Sequence, residues 1–265
     1  MFDQTLKILF NEKINSDIFL LGFESPGIAL EAKPGQFVMI RISDTYDPLL
    51  RRPFSICGIR DKNTVLILYR VLGKGTSLLS FKKKGDTVAV MGPLGRGFTL
   101  PEKDSTIILV AGGMGIAPLY FLAGELDNPS TEFMAGFKSS QEIVMPEQID
   151  VFDICVSLAT NDGSIGYKGL VTNLFEKYLL SHSGSRDSLM VFSCGPSQML
   201  KKTASIAAEY NIRCQVSLET HMACGLGACQ GCAVKTLESG AHSPYRHVCQ
   251  DGPVFSSADI DWDIL

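Results

Sequence analysis

The sequence predicts an α+β multidomain chain: an antiparallel β-barrel, a parallel α/β domain and a small C-terminal cysteine module. Three observations predict it. From about residue 5 to 100, short apolar runs are separated by turn residues with little helical periodicity. From about 104 to 215, strand-like and helix-like patterns alternate, and four of the eight cysteines then crowd into 224–249. Many short strands at this spacing suggest a barrel or sandwich, whereas strand–helix alternation implies a parallel sheet with flanking helices. The expected boundaries are 1–101, 102–215 and 216–265.

The first region carries strand runs at Ile18–Phe23, Gln36–Ile42, Val65–Val71 and Thr87–Met91. Ser25-Pro26-Gly27, Lys33-Pro34-Gly35 and Lys84-Gly85-Asp86 break them. In the second region, strands are expected at Thr106–Val110, Thr131–Phe137, Val151–Ser157 and Leu189–Ser193. Helices are expected at Ala117–Glu125, Leu170–Leu180 and Ser197–Tyr210. The last region holds little that could form a core of its own, and no internal repeat is visible.

At 265 residues, with 45% hydrophobic and 20% charged residues, the chain reads as an ordinary globular protein. A net charge of −4 and the absence of a clustered basic face exclude a nucleic-acid partner; Lys82-Lys83-Lys84 reads as a solvated loop. Twenty uncharged residues between Asp104 and Glu125 meet the length of a membrane span. Gly112, Gly113, Gly115 and Pro118 would break a helix there, so strand, glycine turn and helix is the better reading, without a membrane span. The N-terminus lacks a long apolar stretch, so no signal peptide is read and a cytoplasmic location is expected.

In such a chain, clustered cysteines point to metal or redox chemistry rather than a disulfide framework. Cys224, Cys229, Cys232 and Cys249 read C-x4-C-x2-C-x16-C, and the first three have the plant-type ferredoxin spacing for a [2Fe–2S] cluster. A loop wrapping a two-iron core needs residues without bulk, which Gly225, Gly227, Ala228 and Gly231 supply. Their N–H groups can then point at sulfur and stabilise the reduced charge. Structural zinc also takes four thiolates, but zinc ribbons present two C-x-x-C knuckles and only one is here. His221 and His247 are expected at the surface or outside the ligand set. Cys57, Cys155, Cys194 and Cys214 are expected to be small buried residues.

Arg52-Pro53-Phe54-Ser55, with Gly75-Thr76 in a downstream Gly-x-Gly-Thr, resembles the flavin-binding half of the ferredoxin–NADP reductase superfamily. The resemblance implies a six-stranded barrel holding FAD. Arg52 would offer a guanidinium fork to the diphosphate and Ser55 a hydroxyl near the flavin N5. Leu68-Tyr69-Arg70 would add an aromatic face and a second cation, and Gly75-Thr76 would let backbone N–H groups approach phosphate.

Gly112-Gly113-Met114-Gly115-Ile116-Ala117-Pro118 departs from the Rossmann fingerprint, with Pro118 in place of its third glycine. It matches the reductase superfamily's Gly-Gly-x-Gly-x-x-Pro turn, where a helix N-terminus faces phosphate. Cys194-Gly195-Pro196 resembles the turn beside the nicotinamide ring. Asp162-Gly163-Ser164 with Lys168-Gly169 resembles the segment between these motifs and is assigned no catalytic role. Lys138 is the only cation after Thr131–Phe137, which favours NADH over NADPH.

The module order, Met222-Ala223-Cys224-Gly225-Leu226-Gly227-Ala228-Cys229 and Asp251-Gly252-Pro253-Val254-Phe255 together resemble the electron-transfer subunits of type B, NAD-dependent dihydroorotate dehydrogenase. That family implies docking on an FMN-containing catalytic subunit in pyrimidine biosynthesis, two copies of each. NADH delivers a hydride and an iron–sulfur cluster moves single electrons, so FAD must stand between them. No protein acid or base is expected to be essential. Subunits feeding a ferredoxin–NADP transhydrogenase, sulfide dehydrogenase or hydrogenase share these modules. In the transhydrogenase type one cluster ligand can be aspartate, and four cysteines favour the dihydroorotate reading. A non-enzymatic zinc-binding protein of this fold is the alternative from another class.

Overall fold

The computed structural model describes residues 1–100, 105–126, 128, 130–144, 155–181, 188–237 and 244–265. The strands β1 (Phe2–Lys13), β2 (Ile18–Glu24), β3 (Phe37–Arg41), β4 (Arg52–Ser55), β5 (Gly58–Arg60), β6 (Thr64–Arg70) and β7 (Thr87–Leu94) form one antiparallel sheet. Their order is β4-β3-β7-β1-β2-β6-β5. The sheet has seven strands rather than the six expected because one stretch of chain changes neighbours. Ile56 N donates to Gln36 O (3.0 Å) beside β3, and Cys57 N donates to Leu66 O (2.8 Å) on β6. The continuous chain β4–β5 thus joins the two edges, and a barrel closes without a free edge.

Two elements here were not legible beforehand. β1 is the longest strand, pairing with β2 on one side and β7 on the other across a bulge at Ile8/Phe10. Ser25-Pro26-Gly27, read as a breaker, starts the short helix α1 (Pro26–Glu31), capped by Ser25 Oγ accepting from Ile28 N at 3.4 Å. Serine at the N-cap and proline at the first helical position end a strand and begin a helix with the same residues. A second short helix, α2 (Lys74–Ser80), follows β6.

The parallel sheet contains β8 (Thr106–Gly112), β9 (Thr131–Phe137), β10 (Val156–Thr160), β11 (Tyr167–Lys168), β12 (Leu189–Cys194) and β13 (Arg213–Ser217). Helices α3 (Ile116–Glu125), α4 (Val171–Ser181) and α5 (Ser197–Glu209) flank it. The strand expected at Val151–Ser157 begins at Val156; residues 151–154, like the boundary at 101/102, lie outside the described residues. Both faces of β8 are covered. Ile107, Leu109 and Ala111 join a core with Leu119 and Tyr120 of α3, while Ile108 and Val110 join one with Phe175 of α4 and Ile206 of α5. Burial on both faces explains the unbroken apolar run. The uncharged stretch is therefore strand, turn and a buried helix, and no helix among the described residues is long and apolar enough to cross a membrane.

The C-terminal region is built around a two-stranded ribbon of β14 (Ala233–Lys235) and β15 (Tyr245–His247), and it borrows its core from both neighbours. Val234, Val248, Cys232 and Cys249 pack in one cluster with Phe37, Met39, Met91 and Leu94 of the barrel and Val216 of β13. β16 (Val254–Ser256) then adds to the parallel sheet, antiparallel to β13. Just before it, Gly252 O accepts from Arg96 N at 2.5 Å and Pro253 O accepts from Leu218 N at 2.9 Å. The segment 252–256 is thus bonded on one side to Arg96, just past the barrel's last strand, and on the other to the sheet.

Gly35 lies under this seam. Its φ is +90°, and a Cβ there would stand 2.8 Å from Val254 Cγ2 and 2.9 Å from Phe98 Cδ2. Gly85 has a similar φ of +93° but open space around it. Gly35→Ala should therefore lower unfolding free energy by about 2–4 kcal/mol, combining left-handed strain with overpacking. Gly85→Ala should cost only the strain, about 1–2 kcal/mol. Denaturant titration of both variants checks the difference.

Candidate functional site

Three groups of residues make up the candidate site. In the cysteine loop, Cys232 Sγ lies 3.2 Å from Cys249 Sγ, and the Cys224 thiol is hydrogen-bonded by the Cys229 thiol. The four sulfurs form two pairs. Among the described residues no three metal-binding side chains are gathered as a single ion would require. Two sulfur pairs fit a two-iron cluster, which takes two thiolates at each metal.

Backbone donors are aimed at the sulfurs as the glycine content anticipates. Leu226 N points to Cys224 Sγ at 3.4 Å, Gly227 N to Cys249 Sγ at 3.0 Å and Cys249 N to Cys232 Sγ at 3.5 Å. Gly225 and Gly227 have φ of +74° and +77°, and a side chain at Gly227 would overlap Gln250. The thiols differ. Burial pushes Cys224 up, but N–H groups of Leu226, Cys229 and Ala228 together with the Cys229 thiol outweigh it and bring it to about 6. Burial, then the Cys232 thiol beside it, pushes Cys249 up to about 12. His247 stays outside the set, its Nδ1 3.9 Å from Asp251 Oδ2.

Next to this loop is the predicted flavin cradle. A Cβ at Gly225 would stand 2.7 Å from Met39 Cγ. Met39 is fully buried on β3 and pairs with Pro53 of β4, so one strand separates the cysteine loop from Arg52–Ser55. Arg52 and Gly75, distant in sequence, meet: a Cβ at Gly75 would stand 2.8 Å from Arg52 Nε. The missing side chain leaves the guanidinium a seat over α2, where Arg52 also donates to Leu50 O. Thr76 serves the turn itself, its Oγ1 accepting from Leu72 N (2.9 Å) and Gly73 N (3.1 Å).

Not every predicted residue turns toward this cradle. Phe54, Leu68 and Tyr69 are buried at 9%, 4% and 2% exposure. The Tyr69 ring stacks on Phe19 (5.6 Å), meets Phe54 edge-on (5.8 Å) and donates its hydroxyl to Asn11 Oδ1 at 3.0 Å. Their side chains build the barrel core. Arg70 pairs with Asp17 (Nε–Oδ2 3.2 Å) and, across the junction, with Glu142 (Nη2–Oε2 3.6 Å). Both nitrogens are buried and neither makes a hydrogen bond of good geometry, so these contacts are charge pairs with donors to spare. Pro53 and Ser55 are half-buried on β4.

The glycine turn and the Cys194-Gly195-Pro196 turn close on each other at the C-terminal ends of the neighbouring parallel strands β8 and β12. A Cβ at Gly115 would overlap the Cys194 carbonyl and stand 2.6 Å from Gly195 N. A Cβ at Gly112 would stand 2.9 Å from Pro196 Cδ, and Gly113 has a φ of +53° with open space above it. Pro118 lies in the first turn of α3, where its missing N–H leaves no bond unmade. The chain turns to opposite sides of the sheet after β8 and β12, the switch point at which open α/β sheets bind ligands.

Sequence reasoning missed Glu219, which stands beside Cys194. Burial raises its carboxyl, and burial together with that carboxylate holds the Cys194 thiol far above its ordinary value, hence neutral. It also missed Met39 and Met199, the latter packed on Gly112 and Gly195; an isolated methionine gives no signal. Cys57, Cys194 and Cys214 are buried as expected, but Cys155, just before β10, is exposed.

Residues 219–261 match the family described as the iron–sulfur cluster binding domain of dihydroorotate dehydrogenase B. The electron transfer subunit of dihydroorotate dehydrogenase B (NAD(+)) from Desulforamulus reducens is 42% identical over 260 residues, 97% of each chain. That of Bacillus cereus strain B4264 is 35% identical over 266 residues, covering 98% of this chain and 99% of the relative. Among solved structures, the NADH-dependent reduced ferredoxin–NADP oxidoreductase aligns with a TM-score of 0.83 at 32% identity, over 97% of this chain and 90% of that one. The ferredoxin NADP+ reductase of Neisseria gonorrhoeae, with bound FAD and NADP, shares the fold at 18% identity, TM-score 0.66, over 78% and 91%.

The close approach at Gly115 yields a test. Gly115→Ala should part the two turns and weaken dinucleotide binding at least about tenfold, the loss of about 1.4 kcal/mol. Titration by calorimetry measures it, and an unchanged visible spectrum shows that the barrel and the cysteine loop remain intact.

Proposed function

Because the chain belongs to the family of electron transfer subunits of dihydroorotate dehydrogenase B (NAD(+)), we propose that it carries electrons between NAD(H) and an FMN-containing catalytic subunit that interconverts dihydroorotate and orotate. The observation that carries this reading is the seat of the cysteine loop on β3, the strand paired with Arg52–Ser55. FAD and a [2Fe–2S] cluster, when bound, supply the change from hydride transfer to single-electron transfer.

The chain's own residues hold and tune. Cys224 with Cys229, and Cys232 with Cys249, would each hold one iron, and the N–H groups of Leu226 and Gly227 stabilise the negative sulfurs. Arg52, seated over Gly75, would take the FAD diphosphate, with Ser55 and the backbone of Leu68–Arg70 and Thr76 lining the cradle. Gly112, Gly113 and Gly115 would admit the dinucleotide phosphates to the N-terminus of α3, with Cys194-Gly195 under the nicotinamide ring. The neutral Cys194 is a packing group there.

The three modules correspond to residues 1–101, 102–215 and 216–265, with 252–256 as their common seam. The assembly is a cytoplasmic heterotetramer, two of each subunit. The likeness to the NADH-dependent ferredoxin–NADP oxidoreductase supports a second reading, a subunit of a larger multi-cluster complex. Identity of 42% over 97% of both chains favours the first.

Isolation of the native complex decides between them. The expected result is an FMN-bearing partner and dihydroorotate-dependent reduction of NAD; a multi-cluster partner inert to dihydroorotate overturns it. Cys249→Ser should abolish the cluster absorbance and lower that reaction at least about 100-fold while flavin stays bound.

A further inference from the structure

The two sulfur pairs stand in unlike surroundings. Cys232 and Cys249 are each 2% exposed and pack in one cluster with Phe37, Met39, Leu94 and Val216. Cys232 immediately precedes β14 and Cys249 lies two residues beyond β15, so the end of the ribbon sets them across from each other. Val248 N donates to Cys232 O at 3.1 Å and ties the two ends together. The turn that carries Cys249 is pinned as well. His247 N donates to Asp251 Oδ2 at 2.8 Å, and Asp251 N donates to His247 O at 2.8 Å.

The other pair sits on a loop. Cys224 is half-buried and Cys229 exposed, and every residue from Ala228 to Gly231 is exposed. The loop is shaped by turns rather than by strand pairing, with φ of +74° at Gly225, +77° at Gly227 and +59° at Gln230. A thiolate carried by another molecule can reach a metal held by Cys224 and Cys229. Packed side chains keep it from a metal held by Cys232 and Cys249, because thiol chemistry is governed by access as well as by charge.

We propose that the chain takes up and releases its cluster through the Cys224/Cys229 side, with Cys232 and Cys249 as the anchor. The reaction is thiolate exchange at iron. Two iron–sulfur bonds to the donor's thiolates break as those to Cys224 and Cys229 form, and the protons of the two incoming thiols pass to the departing thiolates. Neither iron changes oxidation state, so the step needs no oxidant or reductant. Cys232 and Cys249 engage first, since a donor cannot reach them once Cys224 and Cys229 are in place. The substrate of the step is a thiolate-ligated two-iron cluster. The inference rests on the reading of the four thiolates as a two-iron site.

Chemical rescue tests it in the full chain with flavin bound, with iron content and visible absorbance as the readout. In Cys229→Ala, 2-mercaptoethanol should fill the vacated position and raise cluster occupancy at least about tenfold over the thiol-free protein. Cys249→Ala should hold no cluster with or without the thiol. The unmutated protein supplies a measurement that requires no variant to fold. As a chelator strips its iron in the presence of iodoacetamide, peptide mass spectrometry should find Cys224 and Cys229 alkylated at least about tenfold faster than Cys232 and Cys249. Equal rescue at both positions, no rescue in a folded, flavin-bound Cys229→Ala, or alkylation of the four cysteines at one rate overturns the proposal and leaves the two-iron site standing. A folded, unmutated chain that holds no iron after reconstitution removes both.

Discussion

The structure depends on the seam made by residues 252–256. Gly252 and Pro253 give their carbonyls to the barrel side and the sheet side respectively, and Val254–Ser256 then become a strand of the parallel sheet. A short segment with partners on both flanks prevents the barrel, the sheet and the cysteine loop from turning independently. A single-electron relay requires this, because its stations must keep fixed, short separations. Gly35 and Gly95 allow the approach; a Cβ at Gly95 would stand 2.7 Å from both Gly252 O and Pro253 Cδ.

The same economy of side chains appears at each station. Gly225 brings the cysteine loop onto Met39, Gly75 makes room for Arg52, and Gly115 lets one turn rest on the carbonyl of another. At all three, backbone comes close to what a cofactor would occupy, and a methyl group would prevent it. Charge is arranged with equal restraint. Arg70 is matched by Asp17 and Glu142, Cys194 is kept neutral, and the sulfurs face N–H dipoles instead of full cations. The electrostatics therefore tune bound groups: they keep Cys194 neutral and lower the Cys224 thiol.

Local chemistry was legible in residue type and spacing. The glycines around Cys224, Cys229 and Cys232 and the apolar run Ile107–Val110 before a glycine turn each follow from what the neighbouring backbone must do. Elements dominated by long-range pairing were harder. β1 has a mixed, half-exposed pattern because its two neighbours come from opposite ends of the barrel region, and Tyr69 turned inward because the strand's register, not its aromatic character, decides its face.

The sequence by itself determined the three modules, the thiolate set and the two glycine turns, since each rests on contacts among residues near in the chain or on chemistry that few residue types supply. Only the tertiary structure decided that the sulfurs form two pairs, that Arg70 faces two carboxylates, and that Tyr69 turns into the barrel core. Those facts depend on which strands are neighbours, and the energy that chooses neighbours is summed over the whole core rather than written in any one segment.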